Sequence, residues 1–551
     1  MIREPSETSP PASSPASSPA PAPATAGAPR EAWTTRWLLG GLIGLLSAAA
    51  AVAVGEVAAA LSAVFGAQAP SAPVVAVGEW AIDLSPAWLK EAAIGRFGPH
   101  DKTALLTGVY LTIAAVSALA GVLARRRPAA GTALAALFGL TGLVAAATRP
   151  AAGPGAWLPA LLAAATSVPV LRRLTAVSQS PDVLGPDAFP GDRRRFLAVL
   201  AGTAAACVTG GLGGRAWLDS RYNASAARAA VELPAPAEPL PAPSAALHPD
   251  VPGLEPFFTP NVATGAYSGF YRVDTALQIP QVNPDAWTLR VHGLVDRPFE
   301  IDFADLLRLP LEEHDLTLTC VSNPVGGPYC GNARWLGAQL APLLRRAGVQ
   351  AGADQILSTS VDGMTIGTPV EAVLDGRQSM LAVAMNGETL PIEHGFPCRM
   401  LVPGLYGYVS ATKWVVDLEL TTFADASAYW VDQGWARQAP VKTASRIDVP
   451  RAGAVVAAGT VMLAGVAWAT HRGVAAVEVK VDQGPWVPAV LAASDTPDTW
   501  RMWSYAWSAD RSAHTVTVRC TDGTGTLQTP VVQDVIPNGA SGYHSITVTV
   551  D

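Results

Sequence analysis

Long apolar segments dominate the N-terminal part of the chain. Each contains about 20 or more nearly uncharged residues, which is the length of helix that crosses a bilayer. We predict five membrane-spanning helices, at Trp37–Phe65, Thr103–Leu123, Pro128–Thr148, Ala151–Leu171 and Phe196–Gly214. The fourth segment contains Pro159 and Pro169, but prolines are tolerated in membrane helices because neighbouring groups satisfy the freed backbone.

Arginine clusters predict the orientation of these helices. The clusters are Arg30 and Arg36 before the first helix, Arg125-Arg126-Arg127 after the second, and Arg172, Arg173 and Arg193-Arg194-Arg195 before the fifth. In a five-helix bundle all of them lie on one side, and basic residues favour the cytoplasmic side. We therefore predict a multi-pass protein of the cell membrane, in contact with lipid, whose chain after Gly214 is extracytoplasmic. The triplet before the fifth helix also resembles a twin-arginine export signal, and both interpretations stay open.

Composition divides the remaining sequence. Residues 1–30 form a Pro/Ala/Ser tract, which predicts a disordered cytoplasmic tail before a membrane region at 31–218. Residues 219–250 form an Ala/Pro-rich linker, which should be an extended and fairly stiff spacer.

Two domains are expected after the linker. Between 251 and 425, a strand at Trp287–His292 and short helices at Phe303–Leu309 and Leu336–Ala347 indicate an α+β domain. Between 426 and 551 the pattern is all β, and several short alternating strands favour an immunoglobulin-like sandwich. The clearest of these strands are Val461–Trp468, Val474–Val481 and His514–Cys520.

Composition also limits the partners. Hydrophobic residues make up 50% of the chain and charged residues 15%, which fits membrane helices better than a soluble protein. The net charge of -7 argues against nucleic acid. The five cysteines form no CxxC pair, which makes a zinc site or a disulfide framework unlikely, and a Cys330–Cys398 pair is left open. No predicted span contains a histidine, so we expect no bis-histidine haem there.

One strand ends at a cysteine. Leu316 and Leu318 share a strand face, and Asn323-Pro324 and Gly326-Gly327 then end the strand, so Cys320 is expected at the mouth of a loop. Loops held by rigid strands often carry catalytic residues. A free cysteine is usually a small buried apolar residue, but a thiolate is also a strong, soft ligand for a redox-active metal. We predict that Cys320 is a metal ligand.

Motifs around Cys320 resemble the molybdopterin domain of the sulfite oxidase family. They are Phe270-Tyr-Arg-Val-Asp274, Asn332-Ala-Arg-Trp335, Asn386-Gly387, His394-Gly-Phe-Pro-Cys-Arg399, Val402-Pro-Gly-Leu-Tyr-Gly-Tyr408 and Lys413-Trp414. Their order and spacing carry the resemblance, which covers roughly Pro252 to the C-terminus. It implies a molybdenum–molybdopterin cofactor and a C-terminal dimerisation domain that would give a homodimer.

The resemblance also implies roles for individual residues. Cys320 would be the molybdenum ligand, and it and Trp335 would be the catalytic residues. The cofactor-binding residues would be Tyr271, Arg272, Asp274, Cys320, Asp362, His394, Arg399, Ala411, Thr412 and Lys413. An arginine fork and a lysine point charge suit the phosphate of the pterin.

These features predict a membrane-anchored, extracytoplasmic oxidoreductase that transfers an oxygen atom to or from a small substrate in a two-electron reaction. Electrons would pass to or from a separate carrier, a cytochrome or a quinone-linked protein. Sulfite-oxidising members have arginines after the cysteine, whereas this chain has Pro324-Val325-Gly326-Gly327, so sulfite is not the expected substrate. The alternatives are a sulfoxide reductase of the same fold, a surface adhesion protein without metal, and a transporter; scarce intramembrane charge argues against the last.

Overall fold

The computed structural model describes residues 33–64, 72–86, 89, 96, 101–149, 155–179, 190–221, 224–264 and 267–551. The predicted tail at 1–30 and the first residues of the fourth predicted span lie outside these ranges. The N-terminal helices are α1 Trp33–Val64, α2 Pro73–Leu84, α3 Asp101–Arg126, α4 Pro128–Ala147, α5 Leu158–Gln179, α6 Pro190–Arg221 and α7 Ala224–Ala230.

Four of the helices in the described part of the chain are long and apolar enough to cross a membrane. They are α1, α3, α4 and α5. The fifth predicted span falls in α6, where the described residues contain the apolar stretch Leu197–Gly211. Four full-length spans are thus found among the described residues, and the fifth stays a prediction.

Glycines bring α1 and α3 close together. A Cβ atom at Gly44 would overlap the Ser117 carbonyl, and one at Gly121 would overlap the Gly40 carbonyl. Small residues four positions apart, such as Gly40 and Gly44, allow this close backbone approach between membrane helices.

Two sheets build the central unit, which contains strands β1–β10. The strands are β1 Thr288–Gly293, β2 Phe299–Asp302, β3 Leu311–Thr319, β4 Cys330–Gln339, β5 Gln355–Ser360, β6 Thr365–Pro369, β7 Met380–Met385, β8 Glu388–Thr389, β9 Arg399–Leu401 and β10 Val415–Thr421. The helices are α8 Phe303–Arg308, α9 Leu340–Ala347 and α10 Val370–Leu374. One sheet has the order β2-β1-β10-β5-β6, with β1 and β10 parallel, and the other has the order β3-β4-β7-β8, with β9 beside β7.

The predicted helix at Leu336–Ala347 begins later than expected. Leu336 lies in β4 and pairs with Glu313 of β3 and Ala384 of β7. Strands on both sides satisfy the backbone groups of β4, so the chain turns into α9 only at Leu340. The other predicted helix, at Phe303–Leu309, is confirmed as α8.

The predicted spacer lies against the central unit. Residues 219–221 are the end of α6, Ala224–Ala230 form α7, and the part after α7 is largely extended. The Ala237 N–H donates to the Leu311 carbonyl at 2.8 Å, the Leu240 N–H donates to Glu313 at 2.8 Å, and Leu247 is buried. The segment is extended, as expected, but these contacts hold it on the protein surface.

The C-terminal unit contains strands β11–β19 in two sheets. The strands are β11 Ala444–Val449, β12 Val455–Val456, β13 Gly459–Trp468, β14 Val474–Val481, β15 Val487–Pro488, β16 Val490–Leu491, β17 Arg501–Ala509, β18 Ala513–Asp522 and β19 His544–Val550, and the short helix α11 Tyr429–Asp432 precedes them. The sheet orders are β11-β13-β17-β16 and β12-β19-β18-β14-β15. Val516, Val518 and Cys520 of β18 are all buried, as their alternation predicts.

Contacts from the C-terminal unit fix strand β3. Trp500 is 1% exposed, and its indole N–H donates to the Phe257 carbonyl at 3.0 Å. Its backbone N–H donates to the Thr317 hydroxyl at 2.7 Å, and Asp498 lies 3.1 Å from His314 Nε2. Because β3 leads directly into Cys320, the C-terminal unit fixes the strand that presents the candidate metal ligand.

Candidate cofactor-binding and active site

Cys320 begins a closed loop after β3. The Cys320 N–H donates to the Tyr329 carbonyl at 2.9 Å, and the Tyr329 N–H donates to Asn323 Oδ1 at 2.9 Å. These two bonds fasten the base of the loop and hold Cys320 at the end of the strand. Burial raises the pKa of the Cys320 thiol, although hydrogen bonds from Ser322 oppose the shift. A bound metal would deprotonate such a thiol.

The far side of this loop faces the C-terminal unit. Arg446 Nη1 donates to the Gly327 carbonyl at 3.0 Å. Gly326 has a positive φ of 74°, and a Cβ atom there would overlap the His544 ring. The glycines therefore permit a close approach between the loop and β19. This gives the Pro324-Val325-Gly326-Gly327 segment a packing role in place of the anion-binding arginines expected in sulfite oxidases.

A cavity with about 770 Å³ of empty space opens beside Cys320. Eight of the predicted site residues line it: Tyr271, Asp274, Cys320, Asp362, Arg399, Ala411, Thr412 and Lys413. Residues from the segment before β1, the loop after β3, the start of β9 and the turn before β10 meet here.

Asp274 is the centre of a buried charge cluster. Its side chain is 5% exposed, and its Oδ2 lies 3.0 Å from Lys413 Nζ and 2.8 Å from Arg272 Nε. Its Oδ1 pairs with Lys102, at the start of α3. Burial alone would raise the pKa of Asp274, but Lys413, Lys102 and Arg272 together hold it well below its usual value.

The pKa values of the neighbouring basic groups are lowered. Burial lowers the pKa of Lys413 to about 8, although Asp274 opposes the shift. Burial lowers the pKa of Arg399 to about 10. The pKa of His394 falls to about 3, because of burial first and then because of Lys413 and Arg399, so its imidazole is neutral. The cluster carries more positive than negative charge and suits an anion.

Buried polar atoms without partners also indicate a ligand. Among the side chains that the structure describes, Arg399 Nε, His394 Nδ1 and Ser360 Oγ are buried and have no hydrogen-bond partner. An unsatisfied buried donor costs about 1–3 kcal/mol. Arg399 and Ser360 line the cavity, so an organic anion with several acceptor atoms would satisfy them. The residues present therefore fit a phosphorylated pterin.

Two of the predicted cofactor-binding residues lie beside the cavity without lining it. Arg272 reaches the site through its ion pair with Asp274. His394 is 1% exposed, and its Nε2 lies 3.3 Å from the Asn261 carbonyl oxygen. Arg399 Nη1 donates to the His394 carbonyl at 3.3 Å, so His394 helps to hold Arg399.

Trp335 is a packing residue behind the site. It is fully buried in a cluster with Phe270 and Leu316, and its indole N–H donates to the Leu316 carbonyl at 3.3 Å. The guanidinium of Arg399 lies 5.5 Å from the centre of the ring. Trp335 is not among the residues that line the cavity, and its predicted catalytic role stays a prediction. A buried aromatic ring here supports the arginine.

Three aromatic residues of the cavity wall were not predicted from the sequence. Tyr408, Trp430 and Trp435 line it, and the Tyr408 and Trp435 rings are 5.7 Å apart. Trp430 lies in α11 and Trp435 just follows it, in a segment that the strand pattern assigned to the β domain. The close spacing of the two tryptophans was the available signal.

The cysteines do not form a disulfide. Cys330 and Cys398 are buried free thiols, and Cys330 Sγ lies 3.4 Å from the Thr319 hydroxyl. Burial raises the pKa of Cys330 to about 11. The pairing that the sequence left open is therefore not present in this structure.

Comparisons with known proteins agree with the site. The family described as "Oxidoreductase molybdopterin binding domain" matches residues 276–430. The uncharacterized oxidoreductase YuiH of Bacillus subtilis is 34% identical over 149 residues, which are 27% of this chain and 72% of that protein. Chicken sulfite oxidase (Gallus gallus) is 30% identical over 297 residues, which are 46% of this chain and 62% of that enzyme.

Two further matches differ in the share of each protein that they cover. Human mitochondrial sulfite oxidase is 28% identical over 284 residues, 41% of this chain and 50% of that enzyme. The chain thus spans about half to two thirds of the length of the sulfite oxidases that it matches. The crystal structure of the sulfane dehydrogenase SoxCD from Paracoccus pantotrophus matches with a TM-score of 0.45 and 24% identity, over 54% of this chain and 82% of that chain.

Replacing the candidate metal ligand tests its role. We predict that Cys320→Ser leaves the fold and the bound pterin largely in place but abolishes turnover, because a hydroxyl is a much weaker donor than a thiolate. Pterin content and steady-state activity of the purified full chain measure the two effects. Cys330→Ser, which changes a buried thiol outside the cavity, is the control and should stay active. Wild-type activity in Cys320→Ser would contradict the assignment.

Removing either cation tests the phosphate site. Arg399→Ala and Lys413→Ala should each lower pterin occupancy, because each loses a charge-assisted contact worth about 1.5–3 kcal/mol. Molybdenum and pterin per chain are the measurements. Lys480→Ala is the matched control, because Lys480 lies over Trp486 on the C-terminal unit. Equal molybdenum content in all four proteins, wild type included, would show that the two cations do not hold the cofactor.

Proposed function

Because the chain belongs to the sulfite oxidase family of molybdopterin-dependent oxidoreductases, we propose that it transfers an oxygen atom to or from a small neutral substrate. The observation that carries this proposal is the aromatic wall of the cavity, formed by Tyr408, Trp430 and Trp435 beside Cys320. Such a wall favours a substrate with apolar groups, such as an organic sulfide or sulfoxide. Sulfite is the second candidate, since members of the family oxidise it.

The loop after Cys320 supports the choice of a neutral substrate. The Gly327 carbonyl is bonded to Arg446, and the backbone at Gly326 packs on His544. The loop therefore offers no arginine to a sulfite ion at this position. Arg399 and Lys413 do line the cavity, but the same two cations are the groups that suit the phosphate of the cofactor.

The proposed reaction balances with water and a carrier. In the oxidative direction a sulfide gains an oxygen atom from water, and two electrons and two protons leave. In the reductive direction a sulfoxide loses its oxygen as water and consumes two electrons and two protons. When bound, the molybdenum–pterin group supplies this two-electron chemistry. A separate electron carrier, a cytochrome or a quinone-linked protein, would accept or deliver the electrons.

The residues of the chain have proposed roles in this reaction. Cys320 would hold the metal, and Arg399 and Lys413 would hold the phosphate of the pterin. Tyr271, Asp362 and the Ala411-Thr412 pair line the same cavity and would contact the rest of the cofactor. The chain is a molybdenum-dependent oxidoreductase, so the adhesion protein considered from the sequence is excluded as its function.

The position of the charged groups supports an extracytoplasmic catalytic part. Lys102 contacts the central unit, whereas Arg125 is at the other end of α3, about 35 Å away by helical rise. The arginine cluster thus lies far from the catalytic part, as expected for a cytoplasmic cluster. Arg149 is on the catalytic side, but it pairs with Glu79. We retain five spans in the proposal, with α6 as the fifth.

The proposed architecture keeps the predicted boundaries. They are a tail at 1–30, a membrane region at 31–218, a linker at 219–250, a molybdopterin domain at 251–425 and a C-terminal domain at 426–551. We propose an immunoglobulin-like fold for the last domain because it has two sheets of short strands. The homodimer through this domain stays a prediction that light scattering of the purified chain would test.

Substrate choice is measurable in the detergent-solubilised full chain. We predict that the protein contains molybdenum and pterin, and that reduced viologen dye reduces dimethyl sulfoxide or methionine sulfoxide with a kcat/KM at least about tenfold above that for sulfite oxidation with ferricyanide. Trp435→Ala should lower kcat/KM for the sulfoxide roughly tenfold by removing an apolar contact.

The control and the contrary outcomes separate the parts of this proposal. Trp486→Ala removes a tryptophan from the C-terminal unit, where it packs on Tyr543, and should leave the kinetics unchanged. Sulfite as the best substrate would overturn the neutral-substrate assignment and keep the enzyme class. A chain without molybdenum or pterin would overturn the whole proposal.

Membrane topology can be measured with single engineered cysteines. Ser512 lies at an exposed turn of the C-terminal unit, and Arg127 is exposed directly after the end of α3. Each is replaced by cysteine in a separate variant. We predict that a membrane-impermeant maleimide labels Ser512→Cys in intact spheroplasts, and that it labels Arg127→Cys only after permeabilisation. Four of the five native thiols are buried, which limits background labelling. The opposite pattern would place the catalytic part in the cytoplasm.

A further inference from the structure

A short segment connects the cofactor site with the membrane helices. Residues 271–275 run along the cavity, where Tyr271, Asp274 and Thr275 are part of its lining. Two residues later, Leu277 is 7% exposed and packs among apolar residues of the membrane region. These neighbours are Ala72, Val75, Ile82, Leu105 and Leu106. The segment therefore has the cofactor site on one side and the N-terminal helices on the other.

Lys102 makes the polar contacts at this junction. It is the second residue of α3, and its Nζ donates to the Ala276 carbonyl at 2.7 Å. The same Nζ pairs with Asp274 Oδ1. The lysine thus binds the segment at its backbone and at its carboxylate. Both contacts join a membrane helix to the cofactor site. Asp274 lines the cavity, and Ala276 directly follows the lining residue Thr275.

The two oxygens of Asp274 share Arg272 and differ in their other partners. Oδ2 accepts from Arg272 Nε and from Lys413, whereas Oδ1 pairs with Lys102 and also accepts from Arg272 Nη2 at 3.5 Å. Lys413 also donates to the Glu393 carbonyl at 2.9 Å. A lysine has three N–H donors, so Lys413 keeps one for a ligand while these two bonds fix its position. Lys102, together with Arg272, fixes the rotation of the carboxylate that orients Lys413.

Because the Lys102–Asp274 ion pair is largely buried, its loss should cost more free energy than the loss of a surface ion pair. An exposed pair contributes about 0–1 kcal/mol, but the Asp274 side chain is 5% exposed and the Lys102 side chain only 27%. A buried charge that loses a partner is costly. Without Lys102, the carboxylate would draw the remaining cations toward itself, and the positions of Arg272 and Lys413 would change.

We infer that Lys102 is a positioning residue of the cofactor site, so that the membrane region completes this site instead of serving only as an anchor. The inference rests on the proposed function for the nature of the cofactor. Lys102 acts through Asp274 on Lys413, and its effect is therefore on the retention of the pterin. The ligand chemistry concerned is a phosphate monoester on an organic ring.

The test compares the full chain with variants at the junction. Lys102→Ala should lose bound pterin about tenfold faster than the wild type, because a charge-assisted contact in the cluster is lost. Lys102→Arg should restore retention, since it keeps a cation that can reach Asp274. The measurements are molybdenum and pterin per chain after purification and the half-time of pterin release on dilution.

A control variant separates this role from simple docking of the membrane helices. Asp83 of α2 accepts a hydrogen bond from the Tyr429 hydroxyl at 3.0 Å, which is another contact between the membrane region and the catalytic part. Asp83→Ala breaks that contact without touching Asp274 and should retain pterin like the wild type. Equal loss in Asp83→Ala and Lys102→Ala would overturn the positioning role.

A double variant tests the route through the carboxylate. If Lys102 acts through Asp274, then Lys102→Ala combined with Asp274→Asn should release pterin no faster than Asp274→Asn alone. Additive effects would overturn the inference. Wild-type retention in Lys102→Ala would also overturn it, while the proposed function would stand. A wild-type chain without pterin would instead defeat the proposed function. If Lys102→Ala does not fold, Lys102→Gln, which keeps a neutral donor, replaces it in the same comparison.

Discussion

Asp274 is a buried carboxylate on which Lys413, Arg272 and Lys102 converge. Burial disfavours its charge, and the three cations reverse that preference. The carboxylate in turn allows the cations to lie close together in a poorly solvated place, where they would otherwise repel one another. The cluster still has a positive excess, which suits a phosphate. This interaction joins the segment before β1, the turn before β10 and the start of α3.

The loop that presents Cys320 depends on support from a distant part of the chain. Arg446 holds the Gly327 carbonyl, and the absence of a side chain at Gly326 allows the His544 ring to approach. Trp500 fixes β3 through Thr317, just before the cysteine. A metal ligand needs a well-defined position. The C-terminal unit therefore helps to position the candidate metal ligand.

Sequence patterns predicted the features that depend on local periodicity. Cys520 continues the buried face of β18, and Cys320 stands where β3 ends, because alternation and chain-breaking residues act over a few positions. Leu336 was misassigned to a helix because its pairing with β3 and β7 decides its conformation. Trp335 was selected from the family motif as a catalytic residue, and the structure buries it next to Arg399. A sequence motif identifies a residue, but it does not specify which neighbouring side chain separates that residue from the cavity.

Lys102 shows most clearly why part of the site could not be predicted. It is separated from Asp274 by 172 positions, and nothing in its own neighbourhood indicates a cofactor. A cation at the start of a helix is locally unfavourable, because the N-terminal end of the helix dipole is positive. Asp274 supplies a negative charge at this end of α3, which the dipole favours and which pairs with the lysine. The position of Lys102 therefore has a physical explanation only in the folded protein, where the membrane helix and the cofactor segment share one carboxylate.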